Sequence, residues 1–211
     1  MKKLFVALLI LFAAFGLTAC TDVDTATVTG TVSIIDSKID AGLIRHADMS
    51  DHDGFTVTDH IFYETDFMTV YNLMRHANEP FILYVGFGDC PWCTQAINPM
   101  HEAAREAGVD RILYVNRRSE TNHFADEENE WRPSDMENVF MRFLEDQIVF
   151  VTRNELTRVF VPEVIVWDGN RVLANRQGTF PDAFPVTLEI TDDEAEELRL
   201  IYLEMFGLLR R

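Results

Sequence analysis

The chain has 211 residues, 47% of them hydrophobic, with 18 basic against 35 acidic residues and a formal net charge of −17. That composition supports one domain of ordinary size with a sizeable core. A chain this acidic does not neutralise phosphates, so charge argues against nucleic acid as a partner and against docking on anionic lipid.

The N-terminus does not belong to that domain. Met1-Lys2-Lys3 is a short basic start, and residues 4–17 are an unbroken apolar run of fourteen. Such a run is too short for an ordinary spanning helix and reads as a secretory signal, residues 1–19. Its end, Leu17-Thr18-Ala19-Cys20, resembles a bacterial lipobox. The resemblance implies cleavage before Cys20, acylation of the Cys20 thiol with fatty chains such as palmitate, and anchorage to a bacterial membrane outside the cytoplasm. The bland alternative is a plain signal peptide with an incidental cysteine. Cleavage removes Lys2 and Lys3, leaving 16 basic against 35 acidic residues, a net charge of −19. The lipid bilayer is then a partner through Cys20, and Cys90 and Cys93 are the only thiols left for the folded part.

Residues 20–54 read as a lipidated N-terminus and tether. Residues 21–33 are Thr-rich and lack helical periodicity. The stretch Asp48-Met49-Ser50-Asp51-His52-Asp53-Gly54 faintly suggests a calcium loop, but Met49 and His60 stand where the first and last acidic ligands belong. It is better read as a solvated acidic turn.

From residue 55 the pattern becomes regular. Phe55 to Thr58 suggests a first strand. Phe67, Val70, Tyr71 and Met74 fall on one helical face within a predicted helix over 64–78, capped by Thr65 or Asp66 and stopped by Pro80. An apolar strand follows at 81–87, then Cys90-Pro91-Trp92-Cys93, then a helix to about 107 containing Pro99, then a strand over 111–116. Strand, helix, strand, helix, strand implies a parallel sheet covered by helices. Residues 117–160 begin polar and acidic. They then predict a helix over 134–144, with a capping box at Ser134 and Glu137 and a face of Met136, Val139, Phe140 and Phe143. Two apolar runs joined by Asp168-Gly169-Asn170 form a hairpin. Thr191 and Glu194 cap a last helix, with Leu198, Ile201, Tyr202 and Met205 on one face.

The cysteine pair sits where a buried strand turns into a helix. Two intervening residues let the sulfurs meet within one helical turn. The first cysteine lies at the helix N-terminus, where free N–H groups and the helix dipole favour the thiolate, the nucleophilic form. Pro91 suits the first helical position. A four-residue loop gains little from a structural disulfide. An isolated pair in an exported chain therefore points to redox chemistry.

From about residue 55 to 209 the chain resembles the thioredoxin-like superfamily. The resemblance rests on the element order, the Cys-x-x-Cys helix and Val161-Pro162 before the hairpin. It implies an α/β fold, a central mixed sheet flanked by helices, with a helical insertion (117–160) before a cis-proline at Pro162. The lipobox, the Cys-Pro-aromatic-Cys motif and Glu106-Ala107-Gly108-Val109-Asp110 resemble, more narrowly, thioredoxin-like lipoproteins of the bacteriocin transport accessory type. The sequence departs from thioredoxin in two places near the site. Tyr84 stands where a buried acid is usual, and Glu163 follows the proline where Thr is usual. A carboxylate near the thiols would disfavour thiolate.

The reading that follows is a membrane-tethered thiol–disulfide oxidoreductase. Cys90, placed where solvent can enter, attacks, and Cys93 resolves. Pro91, Trp92, Val161 and Pro162 support the site, with Trp92 either a lid or ordinary helix packing. No cofactor and no metal are expected, because the pair supplies only two of the four ligands a structural zinc takes. The partners are protein thiols and disulfides outside the cytoplasm, together with a separate redox partner. The alternative is an accessory protein that escorts a secreted peptide without redox turnover.

Overall fold

Continuous apolar runs make the centre of the sheet, as expected for strands buried on both faces. The computed structural model describes residues 33–120, 133–153, 155–179 and 190–210. The expected signal segment, the expected lipidation site Cys20, the expected tether up to residue 32, and residues 121–132 of the expected insertion lie outside the described residues.

The elements in order are helix α1 (Ile34–Asp40), strands β1 (Arg45–His46) and β2 (Phe62–Thr65), α2 (Phe67–His76), β3 (Phe81–Gly86), α3 (Pro91–Glu106), β4 (Ile112–Asn116) and α4 (Arg117–Glu120). Then come α5 (Asp135–Leu144), β5 (Thr152–Arg153), β6 (Leu156–Thr157), β7 (Glu163–Trp167), β8 (Val172–Gln177) and α6 (Asp192–Gly207). Six strands form one mixed sheet in the order β1-β2-β4-β3-β7-β8. β2 and β3 each pair in parallel with β4, and β7 runs antiparallel between β3 and β8. Strands β5 and β6 form a separate small hairpin. The architecture is the thioredoxin-like one, a central mixed sheet flanked by helices.

Strand alternation divides the core in two. Ile82 and Tyr84 of β3, Ile112 and Tyr114 of β4, and Val164 and Val166 of β7 face α3 and α6. Leu83, Val85, Leu113, Val115, Ile165 and Trp167 face α2 and α5. The terminal helix is held by a complete capping box. Thr191 Oγ1 accepts from the Glu194 N–H at 3.3 Å, and Glu194 Oε2 accepts from the Thr191 N–H at 2.7 Å.

Three expectations are corrected. The first parallel strand is β2 rather than 55–58, because Phe62–Thr65 is the stretch in register with β4, Phe62 opposite Ile112. That strand takes the residues a longer helix would have used, so α2 starts after Asp66, whose carboxylate accepts from the Thr69 N–H. The domain does not begin at 55. The described part of the compact unit starts at Ser33. Ser33 caps α1, and Ile35, Ile44, Ala47 and Met49 are buried. What reads as tether from 33 onward is part of the core. Finally, α5 forms where the pattern placed it, but its most buried residues are Glu137, Phe140, Met141 and Leu144. Met136 and Phe143 pack at its flanks. Ser134 caps it by accepting from the Glu137 N–H at 3.0 Å. The Glu137 side chain does not close a capping box, because it turns inward to Arg117.

Candidate active site

Helix α3 starts immediately after the turn that leaves β3, and Cys90 is its N-cap residue. The Cys90 sulfur accepts from the Cys93 N–H at 3.4 Å, which satisfies one of the free donors of the first turn. Pro91 occupies the first helical position and is exposed. Cys90 is 3% exposed and Cys93 not at all, and both are free thiols. Trp92 is half-buried and packs against the apolar cluster that contains both cysteines. The Val161–Pro162 bond is cis, and Pro162 is buried. Val85 pairs with Glu163, so one further step of that register brings Pro162 alongside Gly86, at the end of β3 from which the cysteine turn departs.

The two thiols sit in opposite electrostatic situations. Hydrogen bonds lower the pKa of Cys90, first from the Cys93 side chain and then from the backbone N–H groups of Cys93 and Trp92; burial and the Asp89 carboxylate work the other way. Burial is the main cause that raises Cys93 well above an ordinary thiol, and the adjacent Cys90 sulfur adds to it. The thiolate therefore forms first on Cys90, and Cys93 holds its proton.

Cys90 is more covered than its place at a helix start suggests. The segment 47–55 accounts for this. Ala47, Met49 and Phe55 join the same cluster as the cysteines, and Asn98 on α3 donates to the Gly54 carbonyl at 3.2 Å. Glu163 also differs from expectation. It shares the strand phase of Ile165 and Trp167, whereas the cysteines belong to the opposite cluster with Val164 and Val166. Its buried carboxylate accepts from Asn175 at 2.9 Å and Gln177 at 3.0 Å. Burial pushes its pKa up to about 7 against those two hydrogen bonds.

The sequence reading missed three residues near the site. Arg118 pairs with Asp89 and lies over the Phe87 ring, 4.6 Å from its centroid. Asp51 and His52 lie in what reads as a solvated turn, yet His52 is 1% exposed. Two successive turns, the His52 N–H to Met49 O at 3.1 Å and the Phe55 N–H to His52 O at 3.0 Å, point every third residue inward. The spacing Met49, His52, Phe55 was the available signal.

No family model matches the chain, and no curated protein is significantly similar to it. Among solved structures it is similar to thioredoxin f from spinach chloroplast (short form), at 13% identity and a TM-score of 0.37, covering 74% of this chain and all of that one.

Proposed function

We propose that the protein is a thiol–disulfide oxidoreductase that works outside the cytoplasm, tethered to a bacterial membrane by acylated Cys20. The observation that supports the redox reading is the asymmetry of the pair. The Cys90 sulfur caps the start of α3, whereas Cys93 is sealed in the core one turn on. As a reductase, the Cys90 thiolate attacks a substrate disulfide, one sulfur leaves with the electron pair, and a mixed disulfide forms. Cys93 then attacks the Cys90 sulfur and releases the second substrate thiolate. Val161, Pro162, Pro91 and Trp92 frame the substrate in this reading.

The test is turnover with dithiothreitol as reductant and a disulfide-bonded protein as substrate. The wild type is expected to accelerate reduction. Cys90→Ser should be inactive, and Cys93→Ser should accumulate a covalent adduct through Cys90. Absence of both acceleration and adduct would overturn the reading. It would favour the accessory role, for which the near-complete burial of Cys90 is the supporting observation. A reduction potential near about −270 mV would mark a reductase, and one near about −120 mV an oxidant. Tethering has its own check. The intact mass of the native protein should correspond to a chain starting at acylated Cys20, and a retained Met1 would refute it.

A further inference from the structure

We propose that Asp51, His52 and Tyr84 form a proton relay that carries the Cys93 proton to solvent when Cys93 attacks the mixed disulfide on Cys90. The proposal rests on the thiol–disulfide reading of the same pair and adds the route by which its buried member is activated.

The contacts run in one line. Tyr84 shares a buried cluster with Cys93. Beside the larger effect of burial, the interaction of its hydroxyl with the sulfur lowers the Cys93 pKa and raises that of Tyr84. The hydroxyl also meets His52 Nε2 at 3.3 Å. On the far side of the ring, His52 Nδ1 lies 2.9 Å from Asp51 Oδ1. A carboxylate only accepts, so Nδ1 carries the hydrogen and donates to Asp51, which leaves Nε2 to accept from the Tyr84 O–H. The Tyr84 oxygen offers a lone pair to the Cys93 S–H while the thiol is protonated. Once the proton has passed, the Tyr84 O–H donates to the Cys93 thiolate, which is the direction in which this contact lowers the Cys93 pKa. Tyr84 and His52 are buried, but the Asp51 side chain is 55% exposed. The line thus begins at a sealed thiol and ends in water.

Two glycines leave room for it. A Cβ on Gly86 would collide with the Tyr84 hydroxyl, and a Cβ on Gly88 would collide with the Asp51 carboxylate. Both belong to the stretch that leads from β3 into the cysteine turn. The Tyr84 ring is further held by stacking on Tyr114, 5.2 Å between centroids, while Tyr114 meets His52 edge-on at 5.7 Å.

The step balances. Cys90 thiolate attacks a disulfide ArS–SAr, the S–S bond breaks, and one ArS⁻ leaves. The Cys93 proton then passes to the Tyr84 oxygen as the Tyr84 proton passes to His52 Nε2. The resulting imidazolium is stabilised by Asp51 and sheds a proton to solvent. Cys93 thiolate attacks Cys90 Sγ, the Cys90–Cys93 disulfide forms, and the second ArS⁻ leaves. The dithiol loses two electrons and the reagent gains two. Burial lowers the pKa of His52, with Asp51 opposing, so the ring is neutral and able to accept near neutral pH. The other ionisable groups around the line are Cys90, Tyr114 and Tyr202, with Asp89 beside Cys90 and Glu64 beyond Tyr114. Burial raises both tyrosines, so they stay protonated. Tyr84 touches a reacting atom and is a catalytic residue here; His52 and Asp51 act through it.

The experiment is stopped-flow reaction of the reduced full chain with dithiobis(nitrobenzoate), which releases one coloured thiolate at each step. In His52→Gln and in the surface variant Asp51→Asn the first, Cys90-dependent phase should remain. In His52→Gln and Tyr84→Phe the second phase should slow by about tenfold to a hundredfold near about pH 7, the range of a lost acid–base group, and the deficit should narrow towards about pH 10, where hydroxide removes the proton directly. Asp51→Asn should show a smaller deficit of the same pH shape. A second phase unchanged in His52→Gln overturns the relay and leaves the dithiol reading standing. So does a deficit equal at both pH values, which marks a merely structural role. A wild type that releases the first thiolate and never the second overturns both.

Discussion

At the scale of single residues, burial decides what a titratable group does, and Glu163 is the clearest case. Its side chain is sealed, with a pKa raised to about 7 from 4.5. A carboxyl with a raised folded pKa binds its proton more tightly in the native state than in the unfolded chain. The native state therefore loses stability as pH rises from about 4.5 to about 7, by about 3 kcal/mol in all for a shift of that size. The neutral His52 and His60, whose pKa values burial lowers, act in the opposite sense below about pH 6.5. The difference between wild type and Glu163→Gln isolates the carboxyl. Glu163→Gln is expected to gain stability relative to wild type as pH rises across that window, read from urea midpoints. Parallel curves for the two proteins would refute the assignment.

At the scale of elements, α5 shows how an insertion is fastened to a sheet. Arg117 Nε donates to Glu137 Oε1 at 2.9 Å, and the same oxygen accepts from the Val159 N–H at 2.9 Å. Burial raises the Glu137 pKa, and Arg117 pulls it back. Both side chains are almost wholly enclosed, at 6% and 0% exposure, so removing one strands the other as a buried charge. Glu137→Ala or Arg117→Ala is each expected to cost about 3–5 kcal/mol, whereas an apolar pair such as Arg117→Met with Glu137→Leu should cost far less. Denaturant unfolding of the three variants checks this, and additive losses in the double variant would contradict it. Near it, Phe140 packs on Phe67 of α2, 5.0 Å between ring centroids.

At the scale of the whole molecule, the segment from Ser33 to Phe55 completes both faces of the sheet. Ile35 and Ile44 join the α2–α5 side, and Ala47, Met49 and Phe55 the cysteine side. A chain cut to begin at residue 55 loses Ile35, Ile44 and Met49, each stabilising by about 1.5–3 kcal/mol. That sum is a large part of the roughly 5–15 kcal/mol that holds a domain together. The truncated chain is expected to unfold at markedly lower temperature and to alkylate faster at Cys93. Unfolding as late as the full chain, with Cys93 still protected, would show the segment to be dispensable.

Local chemistry made much of this protein legible in advance. The strand–turn–helix around Cys90 and Cys93, the Ser134 and Thr191 caps and the hairpin at Asp168-Gly169-Asn170 each depend on a few adjacent residues, and these signals survive without a fold; the cis bond before Pro162 was expected only from the resemblance. The one-residue rotation of α5 did not, because an apolar stripe is the best guide to a buried face only when no buried ion pair competes, and Glu137 is held inward by Arg117 from another element. Nor did the role of 33–54. Its helix and strand are short, its inward residues recur every third position through turns, and their burial exists only where the sheet supplies a surface. The same holds for Glu163, whose turn toward Asn175 and Gln177 follows from strand phase, and for Asp51, His52 and Tyr84. No spacing in the chain joins residues 51 and 84. They meet because β3 leans Tyr84 over Gly86 while the N-terminal turn lays Asp51 against Gly88, and only the tertiary fold sets those two surfaces together.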